Sequence, residues 1–262
     1  MITGVIMPFL IPIVFSILGL GLVGTMYWHK HKSALARAFS MEALARSLGL
    51  SFSAIDSFGL ARQLNGFELF KRERSSWLSS GKITNVMRGL VGDTEVYLFD
   101  YSYKVQTGNA RKTISQTVFF ANEKNWFLPN FHLKPENWWH KLQKDFGLST
   151  DINFDENNEF SEQFWLKGEF EDLVRQQFTP SLQGFLTEKP PAHLEGNNYY
   201  LIGYKPRKCL DAPDAQLFYK HCCEMVELLR EKGNLELLDL AEIKKEEVTS
   251  IKDQVASLTR HN

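Results

Sequence analysis

Five polar residues near the middle of the chain have side chains that could act together in one pocket: Arg88, Asp100, Tyr101, His132 and Glu136. A carboxylate and an imidazole within hydrogen-bond reach can transfer a proton, and a guanidinium beside them can hold an anionic group. Convergence on one sheet face would give a candidate polar pocket, rimmed also by Tyr103 and Trp138. The alternative for Arg88 and Asp100 is a cross-strand pair of small energetic value.

Recognised catalytic and cofactor-binding motifs give no support for an enzyme. The sequence contains no GxSxG, no HExxH and no complete P-loop. Gly19-x-Gly21-x-x-Gly24 matches the dinucleotide-binding pattern, but that fingerprint needs a short strand before its first Gly. Here an uncharged apolar run continues through the glycines, as in a membrane helix with small residues. We therefore expect no cofactor.

The acidic segment 151–162 places oxygen-bearing side chains at five positions of a calcium loop. The sharp turn of such a loop needs Gly at position 6, where this chain has Glu156. In addition, Gly147 ends the preceding predicted helix before Asp151. The sequence favours a solvated acidic loop around Ile152 and Phe154 and no metal site, with calcium binding as the alternative.

Charge and cysteine content exclude further classes of function. Thirty Lys and Arg against thirty-one Asp and Glu give no field that would attract nucleic acid, which we exclude as a partner. The three cysteines, Cys209, Cys222 and Cys223, are odd in number and contain no CxxC pair. They indicate a reducing compartment, with Cys222 and Cys223 as ordinary thiols of a helix.

The N-terminus has the pattern of a membrane anchor. Residues 2–28 carry no formal charge and exceed the ~20 residues needed to cross a bilayer. A basic flank, His29 to Lys32, follows this run, and no Lys or Arg precedes it. The positive-inside bias then places the N-terminus outside and the rest in the cytoplasm. We predict a single-pass transmembrane anchor over 1–28 in the inner (plasma) membrane; a cleaved signal peptide, which needs basic residues first, is the alternative.

Residues 29–50 predict a juxtamembrane helix with Ser33 as its N-cap and Gly49 after its end. Residues 51–232 predict a cytoplasmic α+β domain, alternatively divided into sub-lobes of about 51–147 and 148–232. We predict an antiparallel sheet of meander type, packed with helices.

The strand signals are strongest from residue 83 onward. Runs 83–91 and 94–103 flank Gly92-Asp93, which predicts a hairpin, and residues 115–121 predict the next strand after a loop of about ten residues. By period two, Tyr97, Phe99, Tyr101 and Tyr103 share one face. Pro129 confines the following strand, 126–133, to a sheet edge or a bulge. Later segments predict a strand at 163–168, helices at 169–178, 180–186 and 214–230, and a hairpin around 196–198.

Pro135 begins a predicted helix whose apolar stripe includes Trp138, with Trp139 at its border. Core packing is the favoured role for this stripe; the alternative is that Trp138 or Trp139 forms an exposed interaction surface. The tail, 233–262, is charged, and its apolar spacing covers under two heptads. A frayed amphipathic helix is favoured there, with weak self-association as the alternative.

Several short elements resemble an uncharacterised bacterial family with one N-terminal membrane helix and a cytoplasmic α+β domain. The matching elements are Asn85-x-x-x-Gly89, Phe99-Asp100-Tyr101-x-Tyr103, Gln116-Thr117-Val118, Leu128-Pro129-x-Phe131-x-Leu133-x-Pro135-Glu136 and Leu166-x-Gly168. They span roughly the middle half of the chain. The resemblance implies an architecture and no activity.

The sequence thus leads to two hypotheses. The first is a membrane-anchored, cytoplasm-facing interaction or scaffold protein, with the lipid bilayer and an unidentified protein as partners. The alternative is a membrane-tethered enzyme whose site is the polar pocket. A pocket lined by perturbed carboxylates and histidines favours the enzyme, whereas an exposed aromatic patch favours the interaction protein.

Overall fold

The computed structural model describes residues 25, 28, 31–71, 81–107, 110–136, 151–189 and 193–230. Their strands are β1 (Ser51–Ile55), β2 (Lys82–Val91), β3 (Thr94–Thr107), β4 (Ala110–Asn122), β5 (Leu128–Pro135), β6 (Phe164–Gly168), β7 (His193–Asn198) and β8 (Tyr200–Tyr204). All eight belong to one antiparallel sheet in the order β1-β2-β3-β4-β8-β7-β5-β6. The predicted α+β class is confirmed. Only β1 to β4 form the predicted meander. The next strand in the sheet after β4 is β8, and β7, β5 and β6 lie beyond it.

The helices are α1 (31–47), α2 (Leu60–Gln63), α3 (Glu68–Lys71), α4 (Asn158–Gln163), α5 (Glu171–Gln177), α6 (Pro180–Glu188) and α7 (212–230), with a 3-10 turn at Leu64–Gly66. Thr25 and Trp28 are also helical, so the prediction that Ser33 caps the first helix is wrong. Gly49 follows α1 with φ 70°, as expected of a left-handed helix end. Thr179 caps α6 by accepting a hydrogen bond from the Leu182 N–H.

Most of the predicted anchor lies outside the described residues. Only Thr25 and Trp28 of residues 2–28 are described. Within the described part of the chain, no helix is both long and apolar enough to cross a bilayer. Trp138, Trp139 and the tail 233–262 also lie outside the described residues.

The β3–β4 hairpin is longer than the sequence suggests. The predicted ten-residue loop after Tyr103 is wrong: pairing continues to Thr107 opposite Ala110. Residues in this extension, such as Lys104 and Lys112, are exposed and carry no apolar alternation. Strand pairing satisfies their backbone groups without a core, so the hydrophobic pattern contained no signal for it.

Pro129 lies at a bulge of an interior strand. β5 pairs with β6 on one side and β7 on the other, so the edge position is wrong. The register with β7 shifts between Leu128 and Phe131, so the second alternative predicted for Pro129, a bulge, is the one observed. Proline has no N–H to donate to the ladder, and an irregular register removes the need for that donor.

The two faces of the sheet carry separate cores. We call the face that bears Val96 and Leu98 the front face; its core also contains side chains of α1 and α7. The back face bears Tyr97, Phe99 and Tyr101, whose core includes side chains of α2 and α3. The predicted alternation of β3 is therefore confirmed, and both faces of the central strands are buried.

Gly196 lies opposite Phe131 on β5, and a β-carbon at Gly196 would overlap the Phe131 ring. We expect Gly196→Ala to lower the free energy of unfolding by about 1–3 kcal/mol, because the ring must move within a packed core. Gly184→Ala is the matched control: it lies within α6 with open space around it and should stabilise by about 0.5–1 kcal/mol. Urea unfolding of the purified chain measures both, and equal effects would contradict this packing.

Candidate functional site

The five residues of the predicted pocket do not lie together. Asp100 is on the front face and Tyr101 on the back face, since they are neighbours in β3. Arg88 pairs in register with Tyr97, and its guanidinium binds Glu95 rather than Asp100. His132 is on β5, five strand spacings from Arg88, which corresponds to about 24 Å. Glu136 follows β5 and is half-buried.

Asp100 is instead the centre of a buried cluster on the front face. The Arg37 Nε donates to Asp100 Oδ2 at 3.0 Å and its terminal NH2 to Oδ1 at 2.9 Å. Asn85 Nδ2 donates to Oδ2 at 2.9 Å, and the Thr117 hydroxyl donates to Oδ1 at 3.1 Å. Arg37 also donates to the Leu210 carbonyl. We call these five residues the Arg37–Asp100 cluster; its charges are paired and its carboxylate is saturated with donors.

Local backbone geometry places Asn85 in this cluster. The β2–β3 register shifts between Thr84 and Met87, and Asn85 has φ 53° within that bulge. Asparagine tolerates this left-handed conformation better than most residues. Burial by itself lowers the pKa of Arg37, but the hydrogen bonds and charge of Asp100 outweigh burial and raise it.

The Arg37–Asp100 cluster joins three parts of the chain. Arg37 comes from α1, Asp100 and Thr117 from the middle of the sheet, and Leu210 from the segment that enters α7. Arg37 follows the basic flank of the predicted anchor by five residues, and no local pattern in the sequence assigns it a role in the sheet. Its partner is 63 residues away, a separation at which local patterns contain no signal.

A second buried carboxyl, Glu195, organises the back face. Its oxygens accept hydrogen bonds from the N–H groups of Glu68 at 2.6 Å and Leu69 at 3.3 Å, at the start of α3, and from the Tyr204 hydroxyl at 2.8 Å. His132 Nε2 lies 3.6 Å from the same carboxyl. Glu195 is only 3% exposed, and this burial raises its pKa.

Aromatic side chains enclose Glu195 and His132. The His132 ring lies 5.9 Å from His193 and 6.4 Å from Trp165, and His193 lies 5.2 Å from Tyr204, all between ring centroids. We call Glu195, His132, His193 and Tyr204 the Glu195 cluster. The Glu195 carboxyl of this cluster can take up a proton, and it holds α3 on the sheet by accepting hydrogen bonds from the first N–H groups of that helix. Within the described residues, no three His, Cys, Asp or Glu side chains are arranged to hold a metal ion.

The acidic segment 151–162 is part of the fold. Asp151 Oδ1 accepts the N–H of Leu166 at 3.0 Å, and Ile152 is buried. The Asn157 side chain caps α4, which replaces the second half of the predicted solvated loop. Asp151 therefore binds backbone in this structure, and burial raises its pKa.

The cysteines are free thiols, and a cavity of about 250 Å³ lies beside one of them, between α6 and α7. Phe185, Leu217, Phe218, Cys222 and Met225 form its apolar wall. Cys222 is buried in the front-face core, and burial raises its pKa, as expected of a small apolar thiol. This cavity shares no residue with either polar cluster.

Arg37→Ala should lower the free energy of unfolding by about 3 kcal/mol, because it leaves the Asp100 carboxylate buried without its counter-ion. We expect the low end of the range for broken buried pairs, since the Arg37 side chain is 23% exposed. Arg46→Ala is the matched control on the same helix; its pair with Glu42 is exposed, and its loss should cost less than about 0.5 kcal/mol. Urea unfolding separates the two, and equal values would refute a structural role for the cluster.

The Glu195 cluster makes stability depend on pH. Because its folded pKa is raised above the ordinary 4.5, Glu195 binds its proton more tightly in the folded state. The resulting stabilisation is complete below pH 4.5 and is lost as pH rises through the raised pKa. Glu195→Gln cannot titrate, so the wild-type stability should fall relative to this variant from pH 4.5 upward. Urea unfolding curves of both proteins, measured from pH 4.5 upward, test the direction of this change. A difference in free energy of unfolding that does not vary with pH would contradict the prediction.

Comparisons with known proteins leave the family open. No protein-family model matches the chain, and no curated protein matches it. The chain is similar to the crystal structure of the mycobacterial trehalose monomycolate transport factor A at 12% sequence identity. The alignment covers 72% of this chain and 93% of that chain with a TM-score of 0.43. A likeness at this level supports no conclusion about this chain.

Proposed function

We propose that the chain is a membrane-anchored interaction or scaffold protein whose α+β domain faces the cytoplasm. The observation that carries the proposal is the Arg37–Asp100 cluster. It holds α1, the helix that follows the uncharged residues 2–28, against the middle of the sheet. A domain held in this way has a fixed orientation relative to an anchor that precedes α1.

The direction of α1 distinguishes two ends of the sheet. Arg37 meets Asp100, whereas Leu50, just after the helix, lies against Gly89, which pairs with Val96. The helix therefore begins towards the tip of the β3–β4 hairpin, which we call the proximal end. It finishes towards the β2–β3 turn, which we call the distal end.

The distal end carries an aromatic pair, in which Phe127 is exposed and Tyr199 is half-buried. Phe127 is 76% exposed and packs edge-on against Tyr199 with ring centroids 6.1 Å apart. Register places them there, since Tyr200 pairs with Asn122 and Asn122 with Glu95, next to the β2–β3 turn. Exposed aromatic side chains are enriched at the centres of protein interfaces. The aromatic pair is thus the surface best suited to a protein partner, on the side remote from the proposed anchor.

The enzyme hypothesis has less support. Among the described residues, the five members of the predicted pocket are spread over both sheet faces. Of the three buried carboxyls in the described residues, Asp100 accepts four hydrogen bonds from protein groups, Glu195 three and Glu123 two. The four bonds to Asp100, which belongs to the predicted pocket, occupy all its acceptor positions and leave none for a substrate proton.

The experiment places a photo-crosslinking residue at position 127 and uses membranes of the source cell. The chain should stay in these membranes after an alkaline wash, and illumination should link it to one discrete protein. Phe170 is the matched control, because it is 59% exposed and lies before α5. We expect an adduct at 127 and none at 170. Release of the chain by the wash would contradict the anchor, and equal labelling at both positions would contradict a specific distal surface.

A further inference from the structure

At the proximal end, the β3–β4 hairpin carries basic side chains and no acidic ones. From Tyr101 to Asn122 the sequence has Lys104, Arg111 and Lys112 and no Asp or Glu. All three basic residues are exposed on the β3–β4 hairpin beyond the last residues buried in the sheet. Register places Arg111 opposite Gln106 and Lys112 opposite Val105, so the cations surround the hairpin tip on both faces.

Two neighbouring segments extend this surface. The exposed Lys82 pairs in register with Ser102, at the base of the hairpin extension. The segment after β8 lies beside β4, since the Arg207 N–H donates to the Gln116 side chain at 3.0 Å and Arg207 is exposed. Lys208 is also exposed but forms an ion pair with Asp214 at 3.2 Å, so it contributes less.

The start of α1 extends from Arg37 in the same direction as the hairpin extends from Asp100. Lys32 precedes Arg37 by five residues of α1, about 8 Å, and Gln106 follows Asp100 by six strand residues, about 20 Å. Trp28 is 64% exposed, and the Lys32 ammonium lies 5.5 Å from its ring centroid. A Trp beside a Lys is the pair that membrane–water interfaces favour.

We propose that this proximal basic surface, formed by Lys82, Lys104, Arg111, Lys112 and Arg207, rests on the anionic phospholipid headgroups of the membrane from which α1 emerges. The inference rests on the proposed anchor, which would hold the surface within a Debye length of the headgroups. Anionic lipid is favoured over an acidic protein because the surface lies at the end of the sheet at which the helix that follows the apolar run begins. Contact there would leave the aromatic pair at the distal end facing the cytoplasm.

The test uses the full chain reconstituted in vesicles of phosphatidylcholine, alone or with about one-third phosphatidylglycerol. Amide hydrogen exchange is followed in the hairpin residues 103–114 and, as an internal reference, in residues 90–95 of the distal end. We expect exchange at the hairpin to slow about fivefold or more in the anionic vesicles, with no change at the distal end. About 0.5 M NaCl should remove the difference, since screening then acts within about 4 Å.

A triple variant, Lys104→Gln, Arg111→Gln and Lys112→Gln, should lose the lipid-dependent protection. The matched control, Lys124→Gln, Lys167→Gln and Lys220→Gln, changes the net charge equally at three exposed positions away from the hairpin and should retain it. Exchange that is equal in both lipids, or equal in the two triple variants, would overturn the proposal.

The anchor and the surface fail in different ways. An anchored chain stays with the vesicles at high salt, whatever the hairpin does. A chain released at high salt would refute the anchor; the surface then still predicts flotation at low salt with anionic vesicles and not with phosphatidylcholine vesicles. Absence of that flotation would refute the surface as well.

Discussion

The position of α1 depends on one ion pair in the middle of the sheet. Arg37 makes two hydrogen bonds to Asp100, and Asn85 and Thr117 supply the remaining donors. A carboxylate with only 9% of its side chain exposed is stable there only with such partners. Because hydrogen bonds are directional and apolar contacts are not, this cluster specifies where along the sheet the helix lies. The distinction between proximal and distal ends follows from it.

The back face uses the same chemistry for a shorter helix. Glu195 accepts the first N–H groups of α3, which have no partner within the helix, and the Tyr204 hydroxyl. Each face of the sheet thus combines a broad apolar core with one buried carboxyl that ties a helix to a strand. In the Glu195 cluster no cation balances the carboxyl fully, so burial disfavours its charged form and raises the pKa of Glu195.

The part of the fold that was predictable from sequence is the part that local patterns specify. Gly92-Asp93 and the alternation in β3 predicted the central hairpin, and Thr179-Pro180 predicted the start of α6. Pro129 predicted a bulge or an edge, and only the pairing on both sides of β5 decided between them. The five residues of the candidate site lie apart because adjacent strand residues such as Asp100 and Tyr101 point to opposite faces, and because the strands of Arg88 and His132 are five spacings apart.

By itself, the sequence determined the α+β class, most strand and helix positions in the domain, and the charge and apolar runs that suggest a membrane. Periodicity, turn residues and composition are properties of neighbouring residues, and they report backbone preference and burial directly. Only the tertiary structure decided that β8 lies beside β4, that Arg37 binds Asp100, and that β3 and β4 remain paired as far as Thr107 and Ala110. The hairpin extension has no apolar alternation that would have predicted it. The other two contacts join residues far apart in the chain, and their free energy depends on which surfaces meet when the whole sheet assembles.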